Sequence, residues 1–206
     1  MKLPAKTVER LSQYRRILQN YKHMEESYIF SHDLAKLLKI NPVQVRRDFM
    51  LIGFSGNYRN GYSVTDLLDY IDTTLTLPKG QKATIIGMGE LGKALLKHIS
   101  SNPVCPVLIP ATFDIDPKKT NKEYHGIACF DLTRAPEIIN QEKIQIAIIA
   151  IVTNDIQEIV DSLIISGIKS IINFSAGPFR VPDNIYLKDF DIRKTLEEIS
   201  YFISQE

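Results

Sequence analysis

A 206-residue chain that is 44% hydrophobic and 24% charged has the make-up of an ordered protein, long enough for one large domain or two small ones. Two cysteines, Cys105 and Cys129, with no Cys-x-x-Cys pair and no His/Cys cluster, argue against a disulfide framework and against any metal site, and fit a reducing cytoplasm. The net charge is only +1, but residues 1–80 hold 12 Lys/Arg against 8 Asp/Glu and the remaining 126 hold 13 against 16, so the basic excess is N-terminal, the sign expected of a nucleic-acid module. No apolar signal segment follows Met1-Lys2-Leu3-Pro4, and the most apolar stretch, Ile144 to Val152, is too short to cross a bilayer; no membrane association is expected.

Pro4 opens a helix predicted to run to about Tyr21, with Val8, Leu11, Tyr14 (or Arg15) and Leu18 facing the core. Ser31 is the expected N-cap of a second helix carrying a Leu34, Leu37, Leu38 stripe, and Ile40 packs beneath the turn that ends it. Asn41 caps a third helix with Pro42 at its first position. Val45, Phe49 and Ile52 point inward there, leaving Gln44, Arg46 and Arg47 mostly outward. Two short helices, a tight turn and long polar side chains at the start of the second helix are the pattern of a helix-turn-helix. Its second helix brings amide donors to phosphate and side chains to base edges. Gln pairs with adenine and Arg with guanine.

Gly53, Gly56 and Gly61, with Tyr58 and Arg59 between them, read as a β-hairpin wing whose Asn60-Gly61 dipeptide suits a tight turn. Tyr62-Ser63-Val64 returns the strand, and Ser63 or Thr65 caps a helix over 66–75. Paired arginines on an exposed helix are commonly just a solvated face, and glycine turns are common. It is the combination that points to DNA. Asp48 belongs elsewhere: a bare carboxylate beside phosphate is repelled, so it anchors an arginine or a helix contact.

After a Pro78-Lys79-Gly80 entry, Lys82 to Ile86 reads as a strand leading into Gly87-Met88-Gly89-Glu90-Leu91-Gly92 and then a helix. Strand, glycine loop and helix in that order form a dinucleotide-binding turn. Gly87 permits the turn, Gly89 lets a pyrophosphate approach the backbone, and Gly92 lets the helix lie close to the strand. A second strand, Val107 to Phe113 with Pro110 inside it, ends at Asp114-Ile115-Asp116-Pro117. An aspartate there accepts the adenosine ribose hydroxyls and repels a 2′-phosphate, favouring NAD over NADP; spacing leaves Asp114 and Asp116 equal candidates, and either also serves as a turn cap. Further strands are expected at Gly126 to Cys129, Ile144 to Val152, Lys169 to Phe174 and Tyr186 to Phe190. A helix to about Ser166 with Gly167 at its C-cap lies between the second and third of these. Strand ends on the carboxyl side line the ligand crevice, which adds Thr153 and Asn173 to the candidate cofactor contacts. Asp191 to Ile203 forms a last helix whose Leu196, Ile199, Ile203 and Tyr201-Phe202 want a partner surface or a face of their own domain.

Over nearly its full length the chain resembles the bacterial Rex family of redox-sensing transcriptional repressors. The resemblance is carried by Gln44-Val45-Arg46-Arg47-Asp48, Gly53 with Gly56 and Gly61-Tyr62, Gly87 to Leu95, Phe113 to Pro117, Gln157 with Asp161, Gly167-Ile168-Lys169, Asn173-Phe174 and Val181-Pro182. It implies a winged helix-turn-helix domain over 1–78, a Rossmann-like parallel-sheet NAD(H)-binding domain over 79–190 and a swapped dimerisation helix over 191–206, in an α/β homodimer that binds palindromic double-stranded operator DNA. It also implies that NAD+ permits operator binding and that NADH releases it. By position, Arg46 and Arg47 match the base-reading residues, and Asn41, Gln44, Tyr58 and Arg59 join them as DNA contacts. Arg16 and Asp191 match a pair that links one protomer's winged helix to its partner, although Arg16 read alone is an ordinary solvated charge. His98 stands where a tyrosine is often found, at the dimer switch. The wing reads Asn57-Tyr58-Arg59-Asn60-Gly61-Tyr62 in place of Lys-Arg-Gly-Val-Gly-Tyr. Ala150-Ile151-Val152 replaces Thr-Val-Pro, and Asn173-Phe174-Ser175-Ala176 replaces Asn-Phe-Ala-Pro.

The function expected is a non-enzymatic repressor whose operator affinity follows the NADH/NAD+ ratio. A small dehydrogenase is the first rival, but no Tyr-x-x-x-Lys pair is present and no residues remain for a catalytic domain. A regulatory or interaction protein of the same fold, without redox-dependent operator binding, is the second.

Overall fold

The computed structural model describes every residue except 1, 2, 25, 58, 76–79, 102–106, 176 and 206. Tyr58, Cys105, Ala176 and most of the Pro78-Lys79-Gly80 entry therefore lie outside the described residues. The chain divides into two compact units, 1–77 and 78–206.

The first unit holds α1 (Ala5–His23), β1 (Tyr28–Ile29), α2 (Ser31–Leu38), α3 (Pro42–Ile52), β2 (Tyr62–Ser63) and α4 (Val64–Thr74). β1 and β2 pair antiparallel, Tyr28 with Ser63 and Ile29 with Tyr62. Leu11, Tyr14, Leu18, Leu34, Val45, Phe49, Leu67 and Ile71 bury completely in one core. Three expectations shift. Val8 is 37% exposed and Thr7 takes its inward place, because Thr7 lies four and seven residues before Leu11 and Tyr14. Leu37 is 53% exposed, and the stripe of α2 runs instead through Leu34 and Ala35. Ser31 is the first residue of α2 and not its cap: the backbone amide of Phe30 is satisfied by Asp33 Oδ2 at 3.1 Å. Asn41 caps α3 as expected, its Oδ1 accepting from the Val43 amide at 2.8 Å. Ser63 is the cap of α4, accepting from the Asp66 amide at 3.3 Å.

Asp48, fully buried on the inner side of α3, ties that helix to α1. Its Oδ1 accepts from Arg10 Nη2 at 2.7 Å, Gln44 Nε2 at 3.0 Å and Thr7 Oγ1 at 3.3 Å. Its Oδ2 accepts from Arg10 Nε at 2.6 Å and the Tyr14 hydroxyl at 2.9 Å. The Tyr14 ring packs edge-on against Phe49 at 5.2 Å.

The second unit holds β3 (Gln81–Ile86), α5 (Glu90–Ser100), β4 (Val107–Asp114), β5 (Lys122–Tyr124), β6 (Ile127–Asp131), a 3-10 turn (Leu132–Arg134), α6 (Ala135–Glu142), β7 (Ile146–Ile149), α7 (Ile156–Ile165), β8 (Ser170–Asn173), β9 (Tyr186–Asp189) and α8 (Ile192–Ile203). The sheet order is β5-β6-β4-β3-β7-β8-β9, all parallel except the β5 edge. This is the doubly wound order, and its direction reverses between β3 and β7. The strand expected over 144–152 is shorter, because the chain leaves the sheet after Ile149 to pass over Gly87. Pro110 sits at a register shift: Lys82 pairs with Leu108 but Thr84 with Ala111, so the residue without an N–H falls in the irregularity. The segment over 130–143 carried no motif, yet it forms α6, which packs against β4 and α7 and buries Ile138 and Ile139 in the core.

Burial opposes the charge of Asp48, but the hydrogen bonds from Arg10, Tyr14 and Gln44 outweigh it and hold the carboxyl below its ordinary value. In the unfolded chain the group returns to about 4. Its ionised form therefore contributes stability above that pH, and the contribution is lost as the pH falls through the folded value. Acid below about pH 4 is expected to weaken the N-terminal unit. Asp48→Asn is expected to remove that acid sensitivity while costing about 3 kcal/mol near neutrality, the scale for breaking an ion pair whose carboxylate is buried. Urea unfolding of the full chain at a series of pH values measures both.

Candidate cofactor and nucleic-acid sites

The glycine loop occupies the point where the sheet order reverses. Gly87 has φ +100°, and a Cβ there would stand 2.7 Å from the Ala150 carbonyl oxygen, so two backbones touch at this residue. A Cβ on Gly92 would collide with the Gly87 carbonyl, which brings α5 down onto the end of β3. Gly89 differs from both: a Cβ there meets no protein atom within 4 Å. Packing within the protein does not demand a small residue there. Gly89 lies at the N-cap of α5, ahead of the first-turn amides of Glu90, Leu91 and Gly92, which have no helical carbonyl four residues back. Open space in front of unpaired N–H groups and a positive helix end is the chemistry of a pyrophosphate cradle. The Glu90 carboxylate is 95% exposed and pairs with Lys93 at 3.0 Å; Leu91, 41% exposed, lies beside it.

The Asp114–Asp116 turn abuts this loop. Asp114 Oδ2 accepts from the Met88 amide at 2.6 Å, and Oδ1 accepts from the Asp116 amide at 2.8 Å. Asp114 is thus buried and holds the middle of the glycine loop in place. Asp116 is half-exposed; the Lys118 amide, at 2.9 Å, lowers its pKa first, with help from Lys119. Lys119 Nζ reaches both carboxylates, at 3.4 and 3.7 Å. The sequence reading passed over Lys119; its place one helical turn beyond Asp116 was the available signal.

The remaining strand ends extend the crevice. A cavity of about 410 Å³, lined by Ile115, Leu132, Thr133, Ile159 and Ser162 among others, opens where β4 and β6 end beside α7. Thr153 Oγ1 accepts from the Asp155 amide at 3.2 Å in the loop after β7, and Val152 next to it is 83% exposed. Asn173 is nearly buried: its amide donates to Asp189 at 2.8 Å and its oxygen accepts from the Ser175 amide and hydroxyl. Behind it, Phe174 and Phe190 stack at 5.1 Å, next to a small pocket that Leu91 and Asp191 also line. His98 is exposed in the last turn of α5. Burial pushes up the pKa of the Cys129 thiol, which makes it inert. Among the described residues there is no group of three or more His, Cys, Asp or Glu suited to a metal ion, and no helix long and apolar enough to cross a membrane.

In the N-terminal unit the α2–α3 turn passes through Lys39 in a left-handed conformation, φ +53°. Arg46 and Arg47 are exposed on α3, and Arg46 Nη1 donates to Ser31 Oγ at 3.1 Å, which steadies it against the start of α2. Gln44 departs from expectation. Its amide is not turned outward to a base edge but donates to Asp48, the nearest buried acceptor one turn along. The wing is a hairpin closed by paired bonds between Asn57 and Gly61, at 2.7 and 2.8 Å, with exposed Arg59 inside the loop. Gly61 needs its positive φ, and a Cβ there would stand 2.6 Å from the Ile29 carbonyl, so the wing is pressed onto β1. Arg16 is exposed on α1, and Asp191 caps α8 by accepting from the Lys194 amide at 3.1 Å. None of the residues of α8 is buried; Ile192, Leu196, Ile199, Tyr201, Phe202 and Ile203 are all 49–68% exposed.

Residues 2–49 match a family model described as "Putative DNA-binding protein N-terminus", and residues 79–177 match one described as "CoA binding domain". Among curated proteins, the redox-sensing transcriptional repressor Rex of Leuconostoc citreum is 33% identical over 205 residues, covering 98% of this chain and 93% of its own. The Rex of Bacillus licheniformis is 32% identical, with 98% and 94% covered. The crystal structure of RSP in complex with beta-NAD+ and operator DNA superimposes with a TM-score of 0.90 at 27% identity, covering 100% of this chain and 94% of RSP. The RSP complex with beta-NADH gives 0.86, with 100% and 96% covered. With a nucleotide cradle in one unit, an arginine-bearing second helix in the other, and one-third identity along nearly its whole length, the chain belongs to the Rex family of redox-sensing transcriptional repressors.

Proposed function

We propose that this protein is a homodimeric, cytoplasmic repressor that binds a palindromic operator and changes its affinity for it with the NADH/NAD+ ratio, without catalysing a reaction. The observation that carries this reading is Gly89, a glycine that no protein neighbour requires, set before the free amides of α5. A dinucleotide pyrophosphate supplies the missing reason. The likeness to RSP, solved with NAD+ and operator DNA and with NADH, supports both halves. CoA and NAD share an ADP portion, so the CoA-binding model and a nicotinamide cofactor ask for the same cradle.

NAD(H) would supply only the redox state to be sensed. The chain's own groups bind and orient it. The first-turn amides of α5 receive the pyrophosphate, with Gly87 and Gly92 shaping the loop. Asp116, 37% exposed, meets the adenosine ribose, while Asp114, 3% exposed, stays a strut under Met88. The cavity at Ile115 accepts adenine. Thr153, Leu91 and the turn held by Asn173 border the nicotinamide end. Arg46, Arg47 and Arg59 contact DNA, with Asn41 placing the α3 amides near phosphate. Through α8, two chains join in the manner of the family, Arg16 meeting Asp191 of the partner subunit, with His98 near the same junction. The cofactor shifts the DNA-competent population by binding two states unequally.

Four outcomes are expected. Gly89→Ala is expected to leave thermal stability nearly unchanged but to weaken NADH binding about tenfold or more, equivalent to ~1.4 kcal/mol. Gly92→Ala is expected to lower the melting temperature itself. NADH fluorescence titration alongside thermal unfolding separates the two effects. Fluorescence anisotropy on operator DNA at fixed salt is expected to show affinity about 5–150-fold lower in NADH than in NAD+. Equal affinities in both would remove redox sensing. Leu196→Asp with Ile199→Asp is expected to give a monomer in light-scattering chromatography, with operator affinity lost as well.

A further inference from the structure

The outward face of α3 carries more than arginines. Val43 and Met50 are seven residues apart and so lie within about 20° of each other around the helix axis. They stand opposite the buried row of Val45, Asp48 and Phe49. Val43 is 42% exposed and Met50 75%. Arg46 and Arg47 follow Val43 by three and four residues, which makes both its neighbours on the helix surface. An apolar strip thus runs down the middle of the face that the arginines flank, and its first residue lies in the first turn of α3. A recognition helix reaches base edges with its N-terminal residues. Gln44, the neutral polar side chain in that turn, is held by Asp48.

Exposed valine between two cations suits a surface that is anionic at its rim and apolar at one point on its floor. The major groove is such a surface: phosphates line its edges, and the thymine C5-methyl is an apolar group on its floor. We propose that Val43 is a specificity-determining residue that packs on a thymine methyl adjacent to the base read by Arg47. The contact rests on the DNA-reading function proposed above. It makes the operator choice of this chain depend on a methyl group as well as on hydrogen bonds.

The test uses the full-length protein and duplexes that it selects from a random pool. Each thymine of a half-site is replaced singly by uracil, which deletes only the methyl. One position per half-site is expected to weaken binding by about fourfold, the scale of one buried methylene-sized group. Val43→Ala is expected to weaken binding to the thymine duplex by a similar factor and to be indifferent to uracil at that position. Arg47→Ala is expected to weaken both duplexes together and keep the uracil penalty. If no thymine shows a penalty that depends on residue 43 while the wild-type complex is specific, the methyl contact is wrong and the DNA-reading function stands. If the wild-type chain selects no duplex at all, the DNA-reading function falls and this contact with it.

Discussion

At Gly87 two backbones approach more closely than any side chain allows. The glycine carbonyl sits under α5 at Gly92, and its α-carbon sits against Ala150 and Ile151, where the chain leaves β7. The turn between β3 and α5 and the turn after β7 are thereby fixed to each other at the place where the sheet order reverses. Met88 follows at once, fully buried, and its amide is held by Asp114 from β4. Three strands meet through this one loop. The opening in front of Gly89 keeps its shape because everything behind it is fixed.

A buried carboxylate organises the other unit in a comparable way. Asp48 gathers Arg10, Tyr14, Thr7 and Gln44, and it does so from the inner side of the helix whose outer side carries Arg46 and Arg47. In both units an aspartate is removed from solvent and hydrogen-bonded, and in both it fixes a segment that carries candidate site residues. Both carboxylates are spent on partners within their own unit. Their charges are neutralised internally, by Arg10 in one case and by backbone amides with Lys119 in the other.

Much of this was legible in the residues. Asn41-Pro42 marks a helix start, and Gly87 to Gly92 marks a strand-loop-helix, because each pattern reports a local backbone need that tertiary context rarely overrides. Asp48 was legible by electrostatics alone, since a carboxylate on a DNA-facing helix must be neutralised. Where the reading slipped, the deciding partner was distant in sequence. Thr7 displaced Val8 from the core because a hydroxyl was wanted 41 residues away at Asp48. Gln44 turned inward for the same acceptor. The β5 edge strand has no apolar alternation to announce it, and β1 is two residues long. The division of labour between Asp114 and Asp116 depends on which carboxylate the Met88 amide reaches, and spacing carries no information on that.

The cross-link at Asp48 also has a kinematic consequence. A helix tied to α1 through four hydrogen bonds onto one carboxylate does not bend or rotate independently of α1. The spacing of Arg46 and Arg47 on the outer side of α3 is therefore set by the core of the N-terminal unit.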